Sequence, residues 1–211
     1  MFDEYLEKEG LISHKGTIVD APRQRNSRDE NNKIKNGEIP EEWEKPENKS
    51  KLAQKDIDAD WTKKNGERHF EYKDHVKCDA DSKLITNYSV TSASVHDSQR
   101  CLVFIGQEDE VLYADSAYSG KPIALALPEN CKNQICEKGY RNSPLTSEQK
   151  MNNRRKSRIR CRIEQIFGFM TGAMHGITIR SIGITRAWMN IGITNLVYNF
   201  CRYSYLKGAS A

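Results

Sequence analysis

The sequence has no run of 18 apolar residues, so no helix long enough to span a bilayer is expected. Its six cysteines (Cys78, Cys101, Cys131, Cys136, Cys161 and Cys201) include no CxxC pair and are irregularly spaced. That pattern excludes a regular disulfide framework and predicts reduced thiols in a cytoplasmic protein. The opening MFDEYLEKEG is acidic and lacks the form of a signal peptide. There is no internal repeat. Apolar residues are scarce, at 37% of 211 against 29% charged, so one domain with much exposed loop is expected.

Two local shortages are more telling than the totals. Residues 150 to 162 contain no acid and seven bases (Lys150, Arg154, Arg155, Lys156, Arg158, Arg160, Arg162), although the whole chain carries only +4. Such a block fits a polyanion partner better than the net charge does; its bland alternative is a solvated helix face. Residues 23–66 have few apolar side chains and many charges, Asn and Pro. They are expected to form a long, flexible polar insertion after the first strand, because so little apolar surface does not offset ordering entropy.

Around these stretches the elements are legible. Residues 1–10 read as the end of a helix stopped by Gly10, and residues 11–20 as a first strand with a turn at Lys15-Gly16. Residues 67–92 alternate like a β-hairpin that turns at the Asp79–Ser82 cluster. A short helix opens at His96-Asp97-Ser98, with Asp97 or Ser98 as its N-cap. A strand ends at Asp115, a helix covers 121–127, and a short strand lies near 134–136. The Thr146-to-Gln149 capping box starts one long helix near Ser147, whose apolar stripe is Ile159, Ile163, Ile166, Phe167 and Met170. Residues 184–205 form a C-terminal amphipathic helix with Trp188, Ile191, Leu196, Val197 and Phe200. The pattern is α/β: a mixed sheet with helices packed on it.

Two strands end on acids. GTIVDAP runs Thr17, Ile18 and Val19 into Asp20, and VLYADSAYSG runs Val111 to Ala114 into Asp115. A third acid, Glu164, is the only one between Lys150 and Met170 of the basic helix. It falls roughly 115° from the apolar stripe, at the border of core and solvent, with Arg160 one turn before it. Alone, Arg160 and Glu164 read as an ordinary surface pair. Three converging carboxylates would instead suit hard divalent cations, which take oxygen ligands and can serve phosphodiester cleavage in pairs.

The segments GTIVDAP, DADWTKKNGERHFEYKDHVKCDADSKLITNYSVTSASVHDS, LYADSAYSG and NRRKSRIRCRIEQIFG together resemble the catalytic half of bacterial insertion-sequence transposases of the DDE type, in order over roughly residues 5–205. The resemblance implies a ribonuclease-H-like domain over 11–211 and a DNA transposase that cleaves and joins strands at insertion-sequence ends. It implies Asp20, Asp115 and Glu164 as catalytic residues holding two Mg²⁺ (or Mn²⁺) ions, and Arg160 as the arginine of the glutamate signature. DNA, both transposon ends and target, would be the partner, through Arg154, Arg155, Arg158, Arg160 and Arg162, with a homo-oligomer as the active form. The chain departs from many relatives in having Thr171 where they have lysine and Ser157 where some have tyrosine. Relatives usually carry a helical DNA-binding region before the first strand. This chain starts almost at that strand, so a separately encoded N-terminal part is one expectation. A truncated remnant that binds DNA or inhibits a full-length transposase is the alternative, and a ribonuclease or junction nuclease on the same fold is a third.

Three further groups carry expectations. His96 and Asp97 lie in a motif that the resemblance includes and are candidates for a place beside the site. Trp61 is either a loop anchor or a platform for an unpaired base. His69, His75 and Cys78 make a poor zinc set, since 69 and 75 share a strand face that 78 does not, and no fourth ligand is evident.

Overall fold

The structure, a computed structural model, describes residues 2–26, 38–64, 66–176 and 178–209. In chain order its elements are α1 (Phe2–Lys8), β1 (Thr17–Asp20), β2 (Arg23–Asn26), α2 (Glu41–Glu44), α3 (Lys49–Leu52), β3 (Asp60–Lys64), β4 (Glu67–Asp79), β5 (Ile85–Ser92), α4 (Asp97–Phe104), β6 (Val111–Tyr113), α5 (Lys121–Ala126), β7 (Lys132–Asn133), α6 (Ser147–Arg160), α7 (Arg162–Gly172), β8 (Thr178–Ile179) and α8 (Ile184–Ala209). One mixed sheet organises them. β4 pairs antiparallel with β1 and β5, β1 pairs parallel with β6, and β6 pairs parallel with β7. This is a ribonuclease-H-like arrangement, a mixed sheet flanked by helices. Among the described residues no helix is long and apolar enough to cross a membrane.

Strand alternation puts a core on each face of the sheet. Ile18 points to one side with Val76, Cys78 and Ile85, under Ile163, Ile166 and Met170 of α7 and Tyr198 of α8. Its neighbour Val19 points to the other, with Leu112, Ala114 and Tyr118, under Cys101 and Phe104 of α4 and Ile123 of α5. The expected stripe of the basic helix is thus inward, with Ile159 and Phe167 half-buried at its margin.

Several elements differ from the sequence reading. Residues 23–66 are not one unstructured insertion: β2 and β3 lie at its two ends and both pair with β4. Polar side chains anchor its residues 56–58, which an apolar count does not register. Fully buried Asp56 accepts hydrogen bonds from Tyr72 Oη at 2.7 Å and from Gly183 N–H at 3.3 Å, and Asp58 accepts from Ile184 N–H at 2.8 Å at the start of α8. Residues 27–37 and 65, also part of the expected insertion, lie outside the described residues. The first strand is shorter than expected, beginning at Thr17 after a bend at Lys15 and Gly16. The late strand sits at Lys132–Asn133 rather than 134–136.

The capping box is formed as read, Thr146 and Gln149 each bonding the other's backbone N–H. The single long helix, however, is two: Cys161 closes α6 with ψ near −8°, and α7 starts at Arg162. The C-terminal helix continues past 205, and its inward face is not the expected one. Ala187, Ile191, Asn195, Tyr198 and Asn199 are buried, whereas Trp188, Leu196, Val197 and Phe200 are exposed. Polar contacts choose this face. Asn199 accepts from Ile85 N–H at 2.8 Å and donates to Ile85 C=O at 2.7 Å, satisfying the outer edge of β5.

Candidate active site

The two strand-end acids meet because of register. In the parallel pair, Thr17 of β1 lies opposite Leu112 of β6, and Ile18 opposite Tyr113. Asp20 ends β1 and Asp115 follows β6 by two residues, so both acids leave the sheet at the same end of this parallel pair, close enough that the Asp115 charge acts on Asp20. Local hydrogen bonds fix both. Asp20 Oδ1 accepts from Ala21 N–H at 2.8 Å, and Asp115 Oδ1 accepts from Ala117 N–H at 2.7 Å, capping the single helical turn Ser116–Tyr118.

Glu164 reaches these acids through an arginine. It lies in the first turn of α7, with its side chain 57% exposed. Arg160 Nη1 stands 3.2 Å from Asp20 Oδ2 and 3.5 Å from Glu164 Oε1, so one guanidinium nitrogen bridges a strand acid and a helix acid. The break at Cys161 separates the two helical residues, yet Glu164 N–H still bonds Cys161 C=O at 3.1 Å, and the turn holds them together.

The electrostatics record the same convergence. Burial pushes the Asp20 carboxyl up, and the Asp115 and Glu164 charges push it further. The Ala21 N–H and the Arg160 guanidinium pull the other way, and the result is about 6. Three carboxylates that repel one another, with oxygen donors only, are a set that hard divalent cations fit. Their oxygens do not gather as closely as those of His14, Glu108 and Asp109, whose donor atoms all lie within 4.8 Å of one another. That second cluster already holds a cation. Lys77 Nζ is 2.9 Å from buried Asp109 and 3.7 Å from Glu108, and Thr17 Oγ1 donates to Asp109 at 2.7 Å. It sits at the Thr17 end of β1, roughly 10 Å from Asp20 along the strand.

The other candidates separate. Arg154, Arg155 and Arg158 are exposed on α6, and the approach to Arg160 is therefore lined with positive charge. Arg162 behaves differently: its Nη1 donates to Ala80 C=O and to Asp81, both at 2.8 Å, tying α7 to the β4–β5 turn. Trp61 also departs from the stacking expectation. It lies on β3 opposite Phe70, with ring centroids 5.4 Å apart, half-buried in a cluster with Tyr72 and Val90. His96, not Asp97 or Ser98, is the N-cap of α4, its Nδ1 accepting from Ser98 N–H at 3.3 Å. Asp97 forms an ion pair with Lys73 at 2.9 Å.

One residue escaped the sequence reading. Tyr118 is 1% exposed and its hydroxyl has no hydrogen-bond partner. Burial raises its pKa, as do the charges of Asp20, Asp97 and Asp115, so this phenol lies among the strand-end acids and the Asp97 motif. Its position three residues after Asp115, on the turn that acid caps, was the available signal.

Comparison with known proteins adds an independent line. A family model described as "Transposase DDE domain" matches residues 11–200. The "Transposase for insertion sequence element IS1106" of Neisseria meningitidis serogroup B is 33% identical over 117 residues, 54% of this chain and 40% of that relative. The chain therefore matches less than half the length of that curated relative. No solved structure matches.

Proposed function

The chain belongs to the transposase DDE domain family, and from that premise we propose that it cleaves DNA at the ends of an insertion sequence and joins the freed 3′-hydroxyl to target DNA. The observation that carries this reading is the parallel β1–β6 pairing, which brings Asp20 and Asp115 out at the same end of neighbouring strands, with Arg160 linking Asp20 to Glu164. Asp20, Asp115 and Glu164 would hold two Mg²⁺ or Mn²⁺ ions. When bound, such ions supply Lewis-acid stabilisation of the attacking and leaving oxygens.

The chain's own residues set the stage. The β1–β6 pair holds two carboxylates along the carboxyl-terminal edge of these two strands, and α7 brings the third on a separate element. Arg160 offsets part of their mutual repulsion and fixes the rotamers of Asp20 and Glu164. Arg154, Arg155 and Arg158 track the phosphate backbone and deliver it to that edge, a contact that positions DNA without reading its sequence. The partners are transposon-end and target DNA, a second copy in the active assembly, and an N-terminal transposase part that supplies end recognition.

The test is cleavage of a labelled duplex bearing the element's own terminal sequence, with Mg²⁺ or Mn²⁺. Wild type should nick at the element boundary, and Asp20→Asn, Asp115→Asn and Glu164→Gln should each abolish nicking with unchanged circular dichroism. Near-normal nicking by any one variant removes that residue from the site. Binding of the duplex without nicking by wild type would favour the remnant that inhibits a full-length transposase.

A further inference from the structure

A cavity of about 250 Å³ opens between α7, α8 and the β4–β5 turn, lined by Lys83, Gln165, Phe169, Tyr198, Arg202 and Tyr205. Aromatic rings make up half of this set. Tyr198 is buried, and the Phe169 ring stands edge-on to it with centroids 5.8 Å apart. Phe169 and Tyr205 keep 39% and 64% of their surface open to solvent.

The charge in the cavity is of one sign. Among the described residues no acid lines it, and neither Lys83 nor Arg202 has an acidic partner. The groups that they bond are neutral: Lys83 Nζ donates to the Gln165 side-chain oxygen, and Arg202 Nε donates to Ser82 C=O at 2.7 Å. The Arg202 guanidinium also lies over the Tyr205 ring, 4.9 Å from its centroid. Burial pulls the Lys83 pKa below its ordinary value, and so do the charges of Arg202 and Arg162, so cations crowd one another here. The backbone holds Lys83 in place at a cost. Its φ is +59°, in the left-handed region, while its N–H bonds Asp79 C=O at 3.0 Å and its C=O accepts from Tyr198 Oη at 2.9 Å. Glycine or asparagine ordinarily fills such a place, so a lysine there argues that its side chain is used.

We propose that this cavity holds one unpaired nucleotide of a DNA strand, with its base stacked on Tyr205 and Phe169 and its phosphate taken by Lys83 and Arg202. An apolar ligand would leave two charges in the wall without a counter-ion, and an inorganic anion would leave the rings unused. A nucleotide uses both. A cavity of this size takes a single base and not a base pair. Gln165 directly follows Glu164 in α7, so the nucleotide would lie on the helical turn that carries the third acid, where a strand parted from its complement can be held. The stacking role that Trp61 does not fill falls to these rings. The proposal rests on the reading that DNA is the partner of this chain.

The test is fluorescence anisotropy with the full chain in EDTA, where strands stay intact. It compares a labelled blunt hairpin duplex with the same hairpin carrying a short unpaired 3′ tail of deoxyadenosines. The tailed hairpin should bind about fivefold tighter or better, the worth of one stacked base. Tyr205→Ala should remove most of that gain and Tyr205→Phe should keep it. Lys83→Gln should flatten the slope of log K against log salt by about 0.7 for the tailed hairpin alone. Blunt-duplex affinity should be the same in all three variants, and Tyr205→Ala, at an exposed position, should keep wild-type melting. A tail that adds nothing, or a gain indifferent to Tyr205→Ala, overturns the proposal, while binding of the blunt duplex leaves the DNA reading standing. Failure to bind either hairpin overturns both. Free dAMP that displaces the tail at micromolar concentration also overturns the proposal, because the cavity would then be a site for small nucleotides.

Discussion

Replacing Asp74 by asparagine should make the protein more stable at neutral pH and change little in acid. Asp74 lies in the middle of β4, fully buried beneath α8. Its Oδ1 faces Asn195 Nδ2 at 3.5 Å, while its Oδ2 and the Asn195 Oδ1 are both buried without a donor. One proton shared by the pair would satisfy what two bare acceptors do not. Burial accordingly pushes the Asp74 carboxyl up to about 7, against the weaker opposing pull of the Asn195 amide. The folded-state pKa lies above the unfolded value of 3.8, so the folded chain keeps a proton that the unfolded chain releases. Stability from this group is therefore complete below about pH 4, declines as pH rises, and is gone above about pH 7. Three pH units at 1.36 kcal/mol each give a penalty of about 4 kcal/mol at pH 8 as an upper bound. An asparagine carries the missing donor at every pH. Urea unfolding without divalent cations should show Asp74→Asn within about 1 kcal/mol of wild type at pH 4.5 and more stable by a few kcal/mol at pH 8. A gain of equal size at both pH values, or no gain at pH 8, would refute the reasoning.

Arg160→Gln removes a charge that lowers the Asp20 pKa, so that carboxyl should move further above 6; the acid limb of the cleavage pH profile should shift upward, with cleavage reduced more than DNA binding. Arg158→Ala should flatten the slope of log K against log salt by about one unit, the loss of one phosphate contact. Arg162→Ala should leave that slope unchanged and lower stability instead by about 1–3 kcal/mol in urea unfolding, because it strands the Ala80 carbonyl. Trp61→Ala should cost about 2–4 kcal/mol in thermal or urea unfolding through lost packing on Phe70, with duplex affinity per folded molecule unchanged; weaker binding of single-stranded DNA at equal folded fraction would restore the stacking role.

What the sequence discloses here depends on how local its physics is. Asp20 and Asp115 stand out because a short apolar or β-branched run that stops on an acid is readable within seven residues, and parallel pairing then brings the two out at the same end of neighbouring strands. The capping box before α6 is equally local. Glu164 is visible as the first acid after a block of seven bases, but its link to Asp20 runs through Arg160, 140 positions from that acid, and no periodicity states that distance. Elsewhere polarity misled. Residues 23–66 look too polar to order, yet Asp56 and Asp58 bond Gly183 and Ile184 at the start of α8, and Ala59 and Trp61 join the Phe70 cluster, contacts that an apolar count does not register. The C-terminal helix inverts the usual inference for the same reason. Asn195 and Asn199 face inward because they find partners in Asp74 and in the edge of β5, and that leaves Leu196 and Phe200 outside. Hydrophobicity locates a helix face only when its polar residues have no buried partner to seek. On α8 they do, and the displaced apolar residues Leu196, Val197 and Phe200 are left exposed.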